Sequence, residues 1–191
     1  MKKKTITAEF LREVCIDVEE EPLLQENTGE TFKRKTAKVE KDARLYLAAR
    51  GFWMRGQKVF LGVRVFNPLT KCYRTKALAK VHEHHEKEKK VKYAARVVEV
   101  GNASSTPLVF SCFGGMSREC SMFFRRLSEK LAEKRNLTTS EATCFIRTKI
   151  SFALVKPLVL YIRGSRGARE RPCPVSETDL VLINQVSGAK E

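Results

Sequence analysis

The stretch GQKVFLGVRVFNP, residues 56–68, decides how this chain is read. Val59, Leu61, Val63 and Val65 fall on one side of an extended backbone, and Phe60, Gly62, Arg64 and Phe66 fall on the other. Strand side chains alternate with period two, so the pattern predicts a β-strand. Pro68 ends it, because proline cannot donate to a ladder. Gly62 is the odd member. Glycine inside a strand adds nothing to packing and costs about 0.5–1 kcal/mol of backbone entropy relative to alanine. The position therefore asks what side chain it was shaped to hold.

Working outward, ARLYLAARGFW (43–53) predicts a second strand, with Leu45 and Leu47 on one face and Arg44, Tyr46 and Ala48 on the other. WMRGQK then turns it into the first strand as a hairpin. Upstream, residues 8–20 read as a short helix carrying Phe10, Leu11, Val14 and Val18, followed by a polar surface loop over 26–41. Downstream, residues 75–95 form a highly charged helix with a thin apolar stripe. Residues 96–100 and 106–112 are two further strands around a Gly-Asn-Ala-Ser-Ser turn. Cys120, Phe124, Leu127 and Leu131 recur at helical spacing. Thr138 and Glu141 make a capping box for a last helix that Pro157 kinks or ends.

The resulting order is helix, strand, strand, helix, strand, strand, helix, helix, with no internal repeat. It predicts an α+β fold, a mixed sheet of about four strands flanked by helices. Three segments follow: an N-terminal helix and charged loop (1–41), a core (42–165) and a basic, weakly ordered tail (166–191) with a strand-like piece at 179–183.

The 191 residues suffice for one domain with a real core. Against 22 Asp+Glu stand 37 Lys+Arg, a net charge of +15. An excess this large points to a polyanionic partner, nucleic acid foremost and DNA ahead of RNA. The alternative is a basic protein with no such partner. The cysteines at 15, 72, 112, 120, 144 and 173 include no C-x-x-C pair, which argues against a zinc ribbon or finger. Free, mostly buried thiols in a reducing compartment are expected. The N-terminus MKKKTITAEFLREV lacks the apolar core of a signal peptide. The most apolar run, ISFALVKPLVLYI, is short and holds Lys156 and Pro157, so no membrane span is expected. These features predict a nuclear or cytoplasmic protein with no membrane association; they leave protein partners open.

EVCIDVEEEPLLQENTGETF (13–32), DARLYLAARGFW (42–53), KVFLGVRVFNP (58–68) and TPLVFS with GGM (106–111, 114–116) together resemble a domain of invertebrate mobile elements. That domain lies at the C-terminal end of reverse-transcriptase-bearing retrotransposons. It is similar to the restriction-like endonuclease of site-specific non-LTR elements, in the PD-(D/E)XK nuclease superfamily. The resemblance spans about residues 12 to 166, and a strand–strand–helix–strand order fits such a core. It implies a chain that starts near the beginning of the endonuclease-like domain, truncated upstream of it, without the reverse transcriptase or Cys/His segment.

The chemistry of that superfamily gives Gly62 a meaning. Phosphodiester hydrolysis needs an activated water and a neutralised phosphate, usually through Mg²⁺ held by carboxylates. The resembled family carries aspartates where this chain has Tyr46 and Gly62. The companion base is present as Arg64, one strand period from Gly62. Arginine contacts phosphate but does not hold a metal. The resemblance thus implies a catalytically silent domain with degenerate positions Tyr46 and Gly62, no required cofactor, and Mg²⁺ only where nuclease activity persists. In the alternative of an active endonuclease other acids substitute: Asp42 and Glu99 foremost, with Glu20 or Glu21 projecting from the first helix. Asp42 lies about 13 Å from Tyr46 along an extended strand, and Glu99 sits on a neighbouring strand candidate. A further alternative is a mobile-element remnant or a protein-interaction module.

Lys89, Lys92 and Tyr93 match the family's helix after the catalytic strand and are candidates for phosphate contact; a solvated helix held by Glu–Lys pairs is the other reading. Arg163, Arg166, Arg169 and Arg171 form a candidate nucleic-acid arm. His82, His84 and His85 lack a completing carboxylate or thiol, so no metal site is expected. Phe52 and Trp53 at the hairpin turn are read as core in preference to base-stacking platforms.

Overall fold

The structure is a computed structural model and describes residues 6–24, 44–95, 97–98 and 102–164. In chain order its elements are α1 (Ile6–Val14), β1 (Ile16–Glu20), β2 (Leu47–Arg50), β3 (Lys58–Phe66), α2 (Leu78–Ala95), β4 (Ser104–Ser111), α3 (Arg118–Arg135) and α4 (Thr139–Gly164). This is a mixed α+β fold: a four-stranded sheet ordered β1-β2-β3-β4 among the described residues, flanked by helices.

The hairpin is present. β2 and β3 run antiparallel with Leu47 opposite Leu61 and Arg50 opposite Lys58. β4 pairs parallel to β3, from Val59–Ser104 to Phe66–Ser111. A parallel neighbour requires a crossover, and α2 supplies it. Such a sheet is covered on both faces, and the alternation of β3 sorts its residues accordingly. Val59 and Leu61 enter the larger core with Phe10, Leu11, Phe52, Leu108, Phe123 and Leu127, under α1 and α3. Phe60 turns to the α2 side with Leu45, Ala48, Tyr93 and Val97. Phe66 joins Val81 and Val109 there, beside Tyr73.

α3 is the amphipathic helix expected from its spacing. Ser117 Oγ accepts the N–H of Cys120 at its start, and Asn136 in the left-handed region closes its end. The capping box of α4 is formed: the Thr138 N–H donates to Glu141 Oε2 at 2.9 Å, and the Glu141 N–H donates back to Thr138 Oγ1 at 3.3 Å.

Five expectations need correction. The first helix stops at Val14, and residues 16–20 form a strand instead. β-Branched Ile16 and Val18 suit a strand, and Asp17, at φ 52°, takes a conformation that no helix continues through. β1 pairs antiparallel with β2, and its register shifts between Ile16 and Glu19. Second, Leu45 and Leu47 do not share a face. The backbone bends at Tyr46, so Leu45 goes to the α2 side while Tyr46 packs against the larger core with Leu47. Third, Val97 and Val98, the described residues of the strand expected at 96–100, lie in a helical turn after α2. Fourth, α4 runs through Pro157 to Gly164, so of the two outcomes expected of the proline it does not end the helix. Fifth, of the described cysteines only Cys120 is fully buried, while Cys72 and Cys144 are exposed. The 26–41 loop and the tail after Gly164 lie outside the described residues.

Candidate nucleic-acid interface

The residues around Gly62 come from three elements. β3 contributes Gly62 and Arg64, the segment leading into β2 contributes Leu45 and Tyr46, and α2 lies over them. A Cβ built on Gly62 would meet Leu45 Cδ2 at 3.4 Å and Lys89 Cδ at 3.9 Å, with no other heavy atom beyond its chain neighbours within 4 Å. The Tyr46 backbone is held in place: its N–H donates to the Leu61 carbonyl at 3.1 Å and its carbonyl accepts from Glu21 at 3.1 Å. The two positions expected to be catalytic are thus neighbours in register but not in side-chain contact. The side chain nearest the Gly62 position is the apolar Leu45.

Arg64 is 6% exposed. Its Nη1 donates to Glu88 Oε2 at 2.6 Å, and the same carboxylate oxygen lies 3.7 Å from His85 Nδ1. Burial pushes the Glu88 carboxyl up, but the Arg64 charge and hydrogen bond, with His85 and His84 adding, outweigh it and hold Glu88 below its ordinary value. Arg64 therefore ties β3 to α2, and its position does not present it to an external phosphate. Tyr93 is likewise buried in the α2-side core, with Lys89 Nζ 5.5 Å and Lys92 Nζ 5.8 Å from its ring centre. Of the three helix candidates, Lys92 is exposed, Lys89 half-buried and Tyr93 internal. Arg163 lies in the last turn of α4. Arg166, Arg169 and Arg171, together with Asp42 and Glu99, lie outside the described residues.

Among the described residues, the side chains nearest Gly62 offer no oxygen to Mg²⁺, and the one carboxylate at Arg64, that of Glu88, is engaged by the guanidinium. Leucine, lysine and arginine surround the position, and hard divalent cations require carboxylate or carbonyl oxygens. His82 and His85 serve packing: each ring centre lies 4.8 Å from that of Phe66. Phe52 is core, and half-buried Trp53 packs against it. Phe52 stacks on Phe123 at 4.5 Å, and Trp53 Nε1 donates to Thr106 Oγ1 at 2.9 Å.

Charge on the surface is concentrated elsewhere than the strand motif suggested. From Lys71 to Lys92, the loop before α2 and α2 itself expose Lys71, Arg74, Lys76, Lys80, Lys87, Lys90 and Lys92, Lys87 pairing with Glu83 and Lys90 with Glu119. Glu83 and Glu88 are the exposed acids of the same stretch; Glu86 is buried. Sequence reasoning kept only Lys89 and Lys92 from this run. The other cations were visible as a composition bias, but their common exposure follows from α2 burying only a thin stripe.

Sequence reasoning also missed the junction of α2 and α3. Glu86 Oε1 accepts the N–H of Glu119 at 2.9 Å, so a carboxylate on α2 caps the first turn of α3, and Lys90 pairs with the Glu119 side chain. A cleft of ≈ 940 Å³ opens beside them, lined by Trp53, His82, Glu86, Lys90, Thr106 and Ser117 among others. His82, Glu86 and Lys90 recur every four residues along one side of α2, which was legible; their partner helix was not.

No protein-family model, curated protein or solved structure matches the chain.

Proposed function

We propose that the chain is a catalytically silent endonuclease-like domain that binds nucleic acid without sequence preference. The observation that carries the binding is the exposed run of cations from Lys71 to Lys92 in a chain of net charge +15. Phosphate contacts supply sequence-independent affinity, and they need only such a surface. The order β2, β3, α2, β4 supports the likeness to a PD-(D/E)XK core. The apolar Leu45 beside Gly62 and the engagement of Glu88 by Arg64 favour the silent reading, because neither offers a free carboxylate to a metal. The arginines at 163–171 extend the interface as a basic arm.

A gel-shift titration with a random-sequence duplex tests the binding. Affinity should fall steeply with salt, with a log–log slope near −0.9 for each phosphate contacted. Lys76→Glu with Lys80→Glu should weaken it by on the order of tenfold at low salt. A flat salt dependence, or no shift at about 50 mM salt, overturns the proposal. Incubation with supercoiled plasmid and Mg²⁺ or Mn²⁺ should leave the plasmid uncut. Nicking that disappears in Asp42→Ala or Glu99→Ala would make the domain an active nuclease instead.

A further inference from the structure

α4 has two faces of different fate. Ala142, Ile146 and Ile150 are buried against the rest of the molecule, with Phe145 and Leu154 packed beside them. On the other side Cys144, Thr148, Phe152, Val155 and Val159 follow one another at spacings of four, four, three and four, so they share one stripe. Phe152 is 71% exposed, Val155 49% and Val159 44%. A shallow groove of ≈ 760 Å³ runs along this stripe, walled by Arg147 and Ser151 as well as by its apolar members. Exposed Phe152, Val155 and Val159 along one side of a helix whose other side is buried leave an apolar stripe that a partner segment can cover.

We propose that the groove is covered by the chain's own C-terminal segment, ETDLVLIN at residues 177–184. Three observations favour this occupant. The groove is flanked by the exposed cations Arg147 and Lys156, so a second copy of a chain with net charge +15 would bring like charges together. The segment carries the complementary pattern: Glu177 and Asp179 directly precede the apolar run Leu180, Val181, Leu182 and Ile183. It also reaches. Phe152 lies about 18 Å back along the helix from Gly164, whereas the 16 residues from Gly164 to Leu180 span up to about 50 Å when extended. A tether of that length holds the segment at an effective concentration on the order of millimolar, so a weak contact is enough to seat it.

Cys144 reports the covering directly, because it lines the groove and its thiol is exposed. The experiment is thiol labelling of the full-length protein with N-ethylmaleimide, read residue by residue by peptide mass mapping. Wild type is compared with the full-length double variant Leu180→Asp/Leu182→Asp. Cys144 should label about tenfold more slowly in wild type, the factor given by a docking equilibrium of about 1.4 kcal/mol. Exposed Cys72 should label alike in both proteins, and buried Cys120 should stay unlabelled in both, which certifies the fold. Equal Cys144 rates in the two proteins, fast or slow, overturn the proposal. A carbodiimide reaction on mixed ¹⁴N and ¹⁵N protein supplies the second reading. Bonds from Lys156 to Glu177 or Asp179 within one isotopic chain support it. Bonds only between heavy and light chains assign the groove to a second copy and overturn it.

Discussion

Arg64 and Glu88 meet across the layer between β3 and α2, Nη1 to Oε2 at 2.6 Å, with the guanidinium buried and the carboxylate 46% exposed. A buried arginine without such a partner would be costly, so this pair fixes how α2 sits on the sheet.

Glu88→Gln should therefore lower stability by about 1–2 kcal/mol near neutral pH, a figure kept small because the carboxylate is half in water. The pH dependence has a definite sign. Glu88 titrates below its ordinary value, so its contribution is complete above the unfolded carboxyl range of about 4.3 and is lost as pH falls through the folded value. Urea unfolding of wild type and variant should show a gap that closes in acid. A gap unchanged at about pH 3 would mean the pair is not its source.

Gly62 offers room. Its backbone is not in the left-handed region, and an added Cβ would stand 3.4 Å from Leu45 Cδ2, an ordinary contact. Gly62→Ala should stabilise the protein by about 0.4–1 kcal/mol, chiefly by removing freedom from the unfolded chain. Gly62→Leu overfills the same space and should cost about 1–3 kcal/mol. Denaturant midpoints decide it; a destabilising alanine would show that the leucine cannot yield.

The sequence made β3 readable because its alternation runs over nine residues, and both faces of the strand obey it. α3 and the capping box of α4 were equally plain, since spacing and cap residues are local signals. β1 was misread because a helical apolar spacing runs on past Val14 to Val18, and nothing local announces the positive φ of Asp17. The place of Gly62 in the fold was legible, but its neighbour was not. A bend at Tyr46 exchanged the faces of two residues, and only three-dimensional packing brings Leu45 over the glycine.

His82 gives a second pH signature. Burial lowers its pKa, and the neighbouring Glu86 carboxylate raises it by less. A histidine held neutral in the fold gains its proton on unfolding, so stability is full above about pH 6.5 and declines below it, until the folded value is passed. His82→Gln should flatten this part of the stability–pH curve. Parallel curves for the two proteins between about pH 5 and 7 would show that the decline arises elsewhere.

Glu86→Ala removes the carboxylate that accepts the Glu119 N–H, leaving the first turn of α3 short of a partner. The cost should be about 1–2 kcal/mol, and Glu86→Gln, which keeps an acceptor oxygen, should recover most of it. An alanine variant within about 0.5 kcal/mol of wild type would show that water caps the helix as well.

The broken register of β1 has a consequence for how these molecules treat one another in solution. A sheet with a long flat border invites a neighbour's backbone to continue it. Here one border is skewed between Ile16 and Glu19 and lined with charges already engaged, Asp17 by Arg50 at 3.2 Å and Glu19 by Lys58 at 2.9 Å. The other border, β4, is folded over by its own continuation: the Ser111 N–H donates to Gly115 and the Ser117 N–H to Val109. Pro107 contributes no N–H to that border. Among the described residues neither border gives a growing fibril an even row of donors and acceptors to copy, so these chains should concentrate in solution without fusing their sheets.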